Sequence, residues 1–254
     1  MAMTDVHPGS PVGVVGIYRK RNAALVRETV APAVAAGWST AWWALDEADE
    51  RLAETTVGEG PGAKLPLLNE IVSRAGLRDG WLVVLDDDAV FTRGDLVELV
   101  ELCGQAGLDL AQPARSDDNS IHEFNVAHPI TAARRLSRAR RTTFVEVGPI
   151  FVIGPGWRDR IVPFPAERGM GWGVELDWYA LHQEGCRLGI VDAVRVEHRG
   201  APGAEYDFER QVTRMHAELR ERGFEGWNDV QTTLAVWRPW QRVAPWSGRS
   251  VRSS

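Results

Sequence analysis

Trp81-Leu82-Val83-Val84-Leu85-Asp86-Asp87-Asp88-Ala89-Val90-Phe91 is the stretch on which the reading of this chain turns. Its five leading apolar residues, bounded by Asp79-Gly80 and by Arg93-Gly94, suit a buried strand of a parallel sheet. Three carboxylates stand at the strand's exit, and open α/β sheets bind ligands beyond the carboxyl ends of their strands. Adjacent acids repel one another, so a compensating positive charge is expected. A hard divalent cation held by carboxylate oxygens, with a phosphate completing its shell, is the natural partner. A solvated, helix-capping Asp cluster is the plainer alternative.

Upstream, Val12 to Tyr18 reads as a strand with a cationic exit, Arg19-Lys20-Arg21-Asn22. Ala23, Leu25, Val26, Val30 and Val34 recur at helical spacing over residues 23–36, and Gly37 stops that helix. Trp38 to Leu45 is a second strand ending in Asp46-Glu47, a Gly- and Glu-rich loop follows over 55–62, and a helix runs from Lys64 to Ala75. Downstream, Asp95 caps a helix to Ala106, and Leu108 to Pro113 is a short strand. Strand and helix thus alternate through residue 115, which predicts an α/β fold with a mostly parallel central sheet flanked by helices.

The middle of the chain is less regular. Arg115 to Ser120 is polar, and His122, Asn125, His128 and Thr131 show no period. Arg134, Arg135, Arg138, Arg140 and Arg141 form a basic run, read either as a solvated face or as a neutraliser of phosphate or of an acidic acceptor. Thr143 to Ile153 reads as a strand, Gly169 to Gly173 as a loop opening a helix over Val174 to Glu184, and Arg187 to Val196 as a strand leading into Glu197-His198. A charged helix covers Phe208 to Arg222. From Gly223 the tail carries Trp227, Trp237, Trp240 and Trp246, which could close over a ligand, and Ser247 to Ser254 are expected to be disordered. With no repeat or linker, one domain over 1–254 is expected: a ligand-binding half (12–115), a second half (116–222) and a small Trp-rich C-terminal region (223–254).

The formal charge of −6 argues against a nucleic-acid partner. Cys103 and Cys186 lack metal-type spacing and read as reduced core thiols of a cytoplasmic protein. Met1 to Pro11 lacks a leader pattern, and no apolar run is long enough to span a membrane. Oligomeric state is left open.

Several motifs are individually weak. The cationic exit of the first strand suits a phosphorylated ligand but is no dinucleotide fingerprint, because Gly13 and Gly16 lie within the strand. Glu175 and Asp177 are one residue apart on a helix, so at most one faces a given site, and the helix dipole alone could explain both. His198 gains meaning only if it returns to the aspartates in space.

Taken in order, these pieces resemble the nucleotide-sugar-dependent glycosyltransferases of the GT-A fold, with family 2-like features. The resemblance runs from Val12 to Gly200. It rests on Val14 to Asn22, Lys64 to Asn69, Leu85 to Asp88, Gly171 to Trp178, and Val191 to His198. The middle section, Ala111 to Ala114 through Phe144 to Val147, is similar to a less characterised GT-A-like family rich in plant members. The resemblance implies a Mn²⁺ or Mg²⁺ cofactor held by Asp86, Asp88 and His198, with Asp86 placed either on the ion or on the donor's ribose and Asp87 among the donor-side residues but aimed away from the ion. It implies donor contacts from Tyr18, Arg19, Asp46 and Lys64, and a sugar or acceptor platform at Trp172 and Gly173. Glu175 stands where inverting members have their catalytic base, although Val174 replaces the usual preceding acid and leaves Asp177 as a second candidate. The implied reaction moves a sugar from a nucleotide-diphosphate donor, UDP-sugar favoured, to an acceptor hydroxyl by single displacement. The alternatives are a haloacid dehalogenase-like phosphatase with Asp86 as nucleophile, and a non-catalytic carbohydrate-binding protein.

Overall fold

The computed structural model describes residues 10–116, 128–199 and 208–246. The leader reading at the N-terminus (residues 1–9), the polar stretch containing His122 and Asn125, Gly200, and the disorder expected over Ser247 to Ser254 lie outside them. In chain order the elements are β1 (Val12–Tyr18), α1 (Ala23–Ala35), β2 (Ser39–Ala44), β3 (Thr56–Glu59), α2 (Lys64–Arg74), β4 (Trp81–Leu85), β5 (Ala89–Arg93), α3 (Leu96–Ala106) and β6 (Leu110–Arg115). They continue with β7 (Ala139–Thr142), β8 (Ile150–Ile153), α4 (Arg158–Ile161), α5 (Val174–Gln183), β9 (Leu188–His198), α6 (Phe208–Glu221) and β10 (Thr233–Trp237).

The strands form one sheet in the order β10-β7-β9-β6-β8-β4-β1-β2-β3, with β5 added against β9. The expected parallel arrangement holds where strand and helix alternate: β3, β2, β1 and β4 are mutually parallel. Beyond β4 the sheet is mixed, because β8 inserts antiparallel between β4 and β6, and β7 and β10 add antiparallel at the far edge. The predicted strand over Thr143 to Ile153 is therefore only Ile150–Ile153. Gly148-Pro149 precedes it, and a proline has no N–H to give to a ladder. The loop read over 55–62 hides the edge strand β3, whose Gly58 lets the Trp43 ring pass through the space that a Cβ would fill.

Helices cover both faces. One core joins α1 and α3 to Trp42, Trp81 and Trp237, and the other joins α2 and α5 to Trp43, Trp157 and Trp178. Most of the unusual tryptophan content is thus core filling. At the centre of β1, a Cβ on Gly16 would collide with the Leu85 carbonyl. The absence of a side chain there lets β1 and β4 approach, and so fixes the place where Asp86 leaves the sheet. Among the described residues the tail packs on the sheet and forms no lid: β10 pairs with β7, Trp237 is buried, and the Trp246 Nε1–H donates to Ala106 O at 2.6 Å. Nor is the arginine run simply a solvated face. Arg140 is fully buried, while Arg134 and Arg135 are exposed.

Candidate active site

The three aspartates, consecutive in sequence, are sent to three different partners. Lys64, 4% exposed at the first position of α2, places its ammonium 2.6 Å from Asp86 Oδ1 and 2.8 Å from Oδ2. Burial raises the Asp86 pKa, and the charges of Lys64 and His198 work against that rise. Asp87 Oδ2 accepts from the Arg19 backbone N–H at 2.7 Å and from Asn22 Nδ2 at 3.0 Å, which ties the exit of β4 to the turn before α1. Asp88 Oδ1 lies 2.9 Å from His198 Nε2. That contact follows from the ladder, in which Ala89 of β5 sits opposite His198 of β9 and the Arg199 N–H donates to Asp88 O at 3.1 Å. Burial alone would raise the Asp88 pKa, but the His198 bond and the positive charges of His198 and Lys64 outweigh it and the net shift is downward. For His198 burial acts downward, and Asp88 and Asp86 more than offset it, so the imidazole is pushed up.

The other donor-side residues separate. Tyr18 is fully buried, and its hydroxyl bonds Thr56 Oγ1 at 3.0 Å and accepts from the Asp49 N–H at 3.1 Å, so it has no free face for a ligand. This corrects its expected donor contact: a strand flanked by β2 and β4 buries its side chains on both faces. Arg19 is half-buried where β1 ends. Asp46 is exposed at the exit of β2, where its Oδ1 accepts from the Lys20 and Glu47 N–H groups, each at 2.9 Å. Slight burial works against ionisation of Asp46, and those two bonds outweigh it to lower the pKa.

A further pair of acids, Glu146 and Glu175, is set by the turn at Gly171 and Gly173 and by the segment before β8. Gly171 and Gly173 both take positive φ, 106° and 86°, in a loop that only glycine follows without strain, and half-buried Trp172 stands between them. This turn swings Glu175 inward. Its Oε1 accepts from the Val147 N–H at 3.2 Å and its Oε2 from the Gly173 N–H at 3.1 Å. Burial pushes Glu175 up to about 7, with the Glu146 charge adding to the rise and the backbone N–H groups opposing it. Glu146 itself is half-buried and is pushed up to about 7 by burial, against the pull of Arg115, His198 and the Thr131 hydroxyl. Glu146 is thus coupled electrostatically to His198 and, separately, to Glu175.

Asp177 is held elsewhere. Its carboxylate is held by Arg168 at 2.9–3.0 Å and by Arg222 at 2.6 Å, in a network that also engages Glu218. Two guanidinium groups already occupy this carboxylate, which leaves Glu175 as the better-placed candidate base. Glu146 is the residue the sequence reading passed over. Its one signal was a lone acid inside the apolar run Phe144-Val145-Glu146-Val147.

The donor set suits a divalent cation in part. Asp88 and His198 bring a carboxylate oxygen and an imidazole nitrogen together, whereas Asp86, expected as a third ligand, is committed to Lys64. Among the described residues no group of three His, Cys, Asp or Glu side chains could hold an ion. A cation here would need its remaining ligands from a bound molecule.

No family model and no curated protein matches the sequence. Solved structures do match in shape. A structure of GalNAc-T7 with UDP, GalNAc and Mn²⁺ superposes with a TM-score of 0.56 at 11% identity, covering 83% of this chain and 48% of that one. The fold is that of the GT-A glycosyltransferases. S. aureus TarS 1-349 matches at a TM-score of 0.47 and 10% identity over 82% of this chain and 65% of its own, and its complex with UDP-GlcNAc matches at 0.46 and 11% over 82% and 66%. The chain thus spans about half the length of the first structure and about two thirds of TarS. The likeness of the middle section to a plant-rich family has no counterpart among these matches. No helix among the described residues is long and apolar enough to cross a membrane.

Proposed function

We propose that this chain transfers a sugar from a nucleotide-diphosphate donor, UDP-sugar favoured, to an acceptor hydroxyl with inversion. The observation that carries this reading is the 2.9 Å approach of Asp88 to His198 at the strand exits of a GT-A fold, with the charge of Glu146 felt by both His198 and buried Glu175. The donor's nucleotide would lie over the exits of β1 and β2, near Arg19 and Asp46, and its diphosphate over β4. Asp88 and His198 would hold a Mn²⁺ or Mg²⁺ ion whose other ligands are diphosphate oxygens. That the GalNAc-T7 structure contains UDP with Mn²⁺ accords with this choice. When bound, the ion supplies Lewis-acid stabilisation of the negative charge on the leaving diphosphate.

The chain's own residues do the rest. Lys64 balances the charge of Asp86, so that the site presents fewer uncompensated anions to an incoming diphosphate. Glu175, with a pKa of about 7, is poised to accept a proton near neutrality. It takes the proton of the acceptor hydroxyl as that oxygen bonds to the anomeric carbon and the carbon–oxygen bond to the diphosphate breaks. The backbone N–H groups of Val147 and Gly173 orient its carboxylate, and Trp172 offers a ring face to the sugar. The phosphatase alternative would need Asp86 as a free nucleophile, and the Lys64 pairing of both its oxygens argues against that.

Isothermal titration with UDP in the presence and absence of Mn²⁺, alongside a panel of UDP- and GDP-sugars assayed for nucleotide release, tests the reading. Binding of UDP should require Mn²⁺, and Asp88→Ala and His198→Ala should each weaken it at least tenfold. Metal-independent UDP binding of unchanged affinity in both variants would overturn the assignment. Metal-dependent binding with no turnover on any sugar would favour a carbohydrate-binding role.

A further inference from the structure

The arginine run and the C-terminal tail, neither of which the cleft uses, come together in space. Residues 129–142 and 231–246 contain seven arginines and not one Asp or Glu, in a chain whose formal charge is −6. The ladder between β7 and β10 pairs these segments, and the Arg138 N–H donates to Trp237 O at 2.7 Å. The Arg138 guanidinium lies 4.2 Å from the centre of the Trp237 ring, and Arg238 Nη1 donates to Leu136 O at 3.2 Å. Arg140 is removed from the surface by its pairing with Asp192, which leaves Arg134, Arg135, Arg138, Arg141, Arg238 and Arg242 on two paired segments that carry no acid of their own.

Exposed apolar side chains stand in the same two segments. Leu136, Trp240 and Val243 are 63%, 68% and 66% exposed. Leu136 also carries a backbone φ of 56°, the left-handed region that costs a non-glycine residue about 1 kcal/mol or more. A β-turn would tolerate a polar residue or glycine there far more readily, yet an exposed leucine is held in place by a bond to its carbonyl. Tryptophan beside arginine, with neighbouring aliphatic residues, is the composition of a membrane–water interface anchor.

We propose that this face docks the protein onto an anionic lipid bilayer, with Trp240, Leu136 and Val243 entering the headgroup layer and the arginines over acidic headgroups. A nucleic acid would engage the arginines but leave Leu136 and Val243 facing water, so the bilayer is the occupant that satisfies both halves of the patch. The placement agrees with the topology. The segment before β7 runs along the strand-exit edge of the sheet, from the Arg115–Ala132 bridge to Arg138, whose carbonyl accepts from the Ala193 N–H at 3.0 Å. Asp88 and His198 lie on that same edge. The docking surface stands on these observations whether or not the cleft transfers sugars.

The test is sedimentation of the full chain with vesicles of phosphatidylcholine alone and of equimolar phosphatidylcholine and phosphatidylglycerol. Binding should be confined to the anionic vesicles and fall with added salt. Arg134→Gln and Arg135→Gln should each weaken it about fivefold, the equivalent of about 1 kcal/mol per arginine near the surface. Trp240→Ser should weaken it further, and quenching of protein fluorescence by brominated lipid should be lost in Trp240→Phe. All these positions are exposed, so unchanged circular dichroism and UDP binding are expected and separate this result from any failure of the cleft. Absence of sedimentation with anionic vesicles, equal sedimentation with both, or variants that bind like the parent would overturn the proposal. So would retention on heparin without lipid quenching of Trp240, which would mark a polyanion site instead.

Discussion

At the scale of single residues, the site works by dividing like charges among unlike partners. Asp86, Asp87 and Asp88 would repel if left together. An ammonium, a pair of N–H donors and an imidazole each take one. Glu175 and Glu146 are treated in the opposite way. Both are placed where burial raises them to about 7. Because those folded values exceed the ordinary 4.5, ionising either group costs stability as pH rises from about 4.5 through about 7, and the penalty is complete above that window. For Glu175 the shift corresponds to a cost on the order of 3 kcal/mol at high pH. The base role proposed for Glu175 needs its ionised form, so the turnover rate of the parent should fall as pH drops below about 7. Glu175→Gln should abolish transfer at every pH while leaving Mn²⁺-dependent UDP binding intact. Its melting temperature should vary less with pH between those values than the parent's, with the remaining dependence owed to Glu146. Full turnover in Glu175→Gln would remove it as base.

At the scale of elements, the β7–β9 pair depends on one buried ion pair. Arg140 Nε and Nη2 lie 2.8 and 2.9 Å from the two oxygens of Asp192, and both side chains are fully buried. The remaining capacity of each is filled: Arg140 donates to Ile130 O and Ala132 O, and Asp192 accepts from the Arg134 N–H and the Ser137 hydroxyl. The pair therefore shapes the segment that leads from the second half of the sheet to the basic face. Removing one partner leaves an uncompensated charge without water, a loss of about 3–5 kcal/mol. Thermal denaturation of Asp192→Ala should show a fall of roughly 6–20 °C. The double variant Arg140→Met/Asp192→Leu should lose much less than the sum of the single changes. Additive losses would show that the two groups act separately.

At the scale of the whole molecule, the sheet joins what the sequence divides. β9 pairs with β5 and β6 from the N-terminal half and with β7 from the second half, and β10 of the tail extends the same ladder. Tryptophans report from both sides, Trp42 and Trp81 in one half and Trp178 and Trp237 in the other. Urea unfolding followed by tryptophan fluorescence and by far-ultraviolet circular dichroism should give one coincident transition. Two separated transitions would mean that residues 12–115 fold independently of the rest.

Local chemistry in the sequence determined the first half of this protein. The apolar run Trp81–Leu85, the helical spacing after Asn22 and the glycine stops are short-range signals, and β1, α1, β2, α2, β4 and α3 follow them closely. The same signals pointed to the strand exits, the carboxylates and His198 drew notice by their positions, and the family resemblance added Lys64. Tertiary structure alone decided which of them meet. His198 reaches Asp88 because β5 and β9 pair across more than a hundred residues, and no local pattern encodes that register. Tyr18 goes to the core and Asp177 of α5 goes to two arginines, because packing of neighbouring elements sets which way each side chain is enclosed.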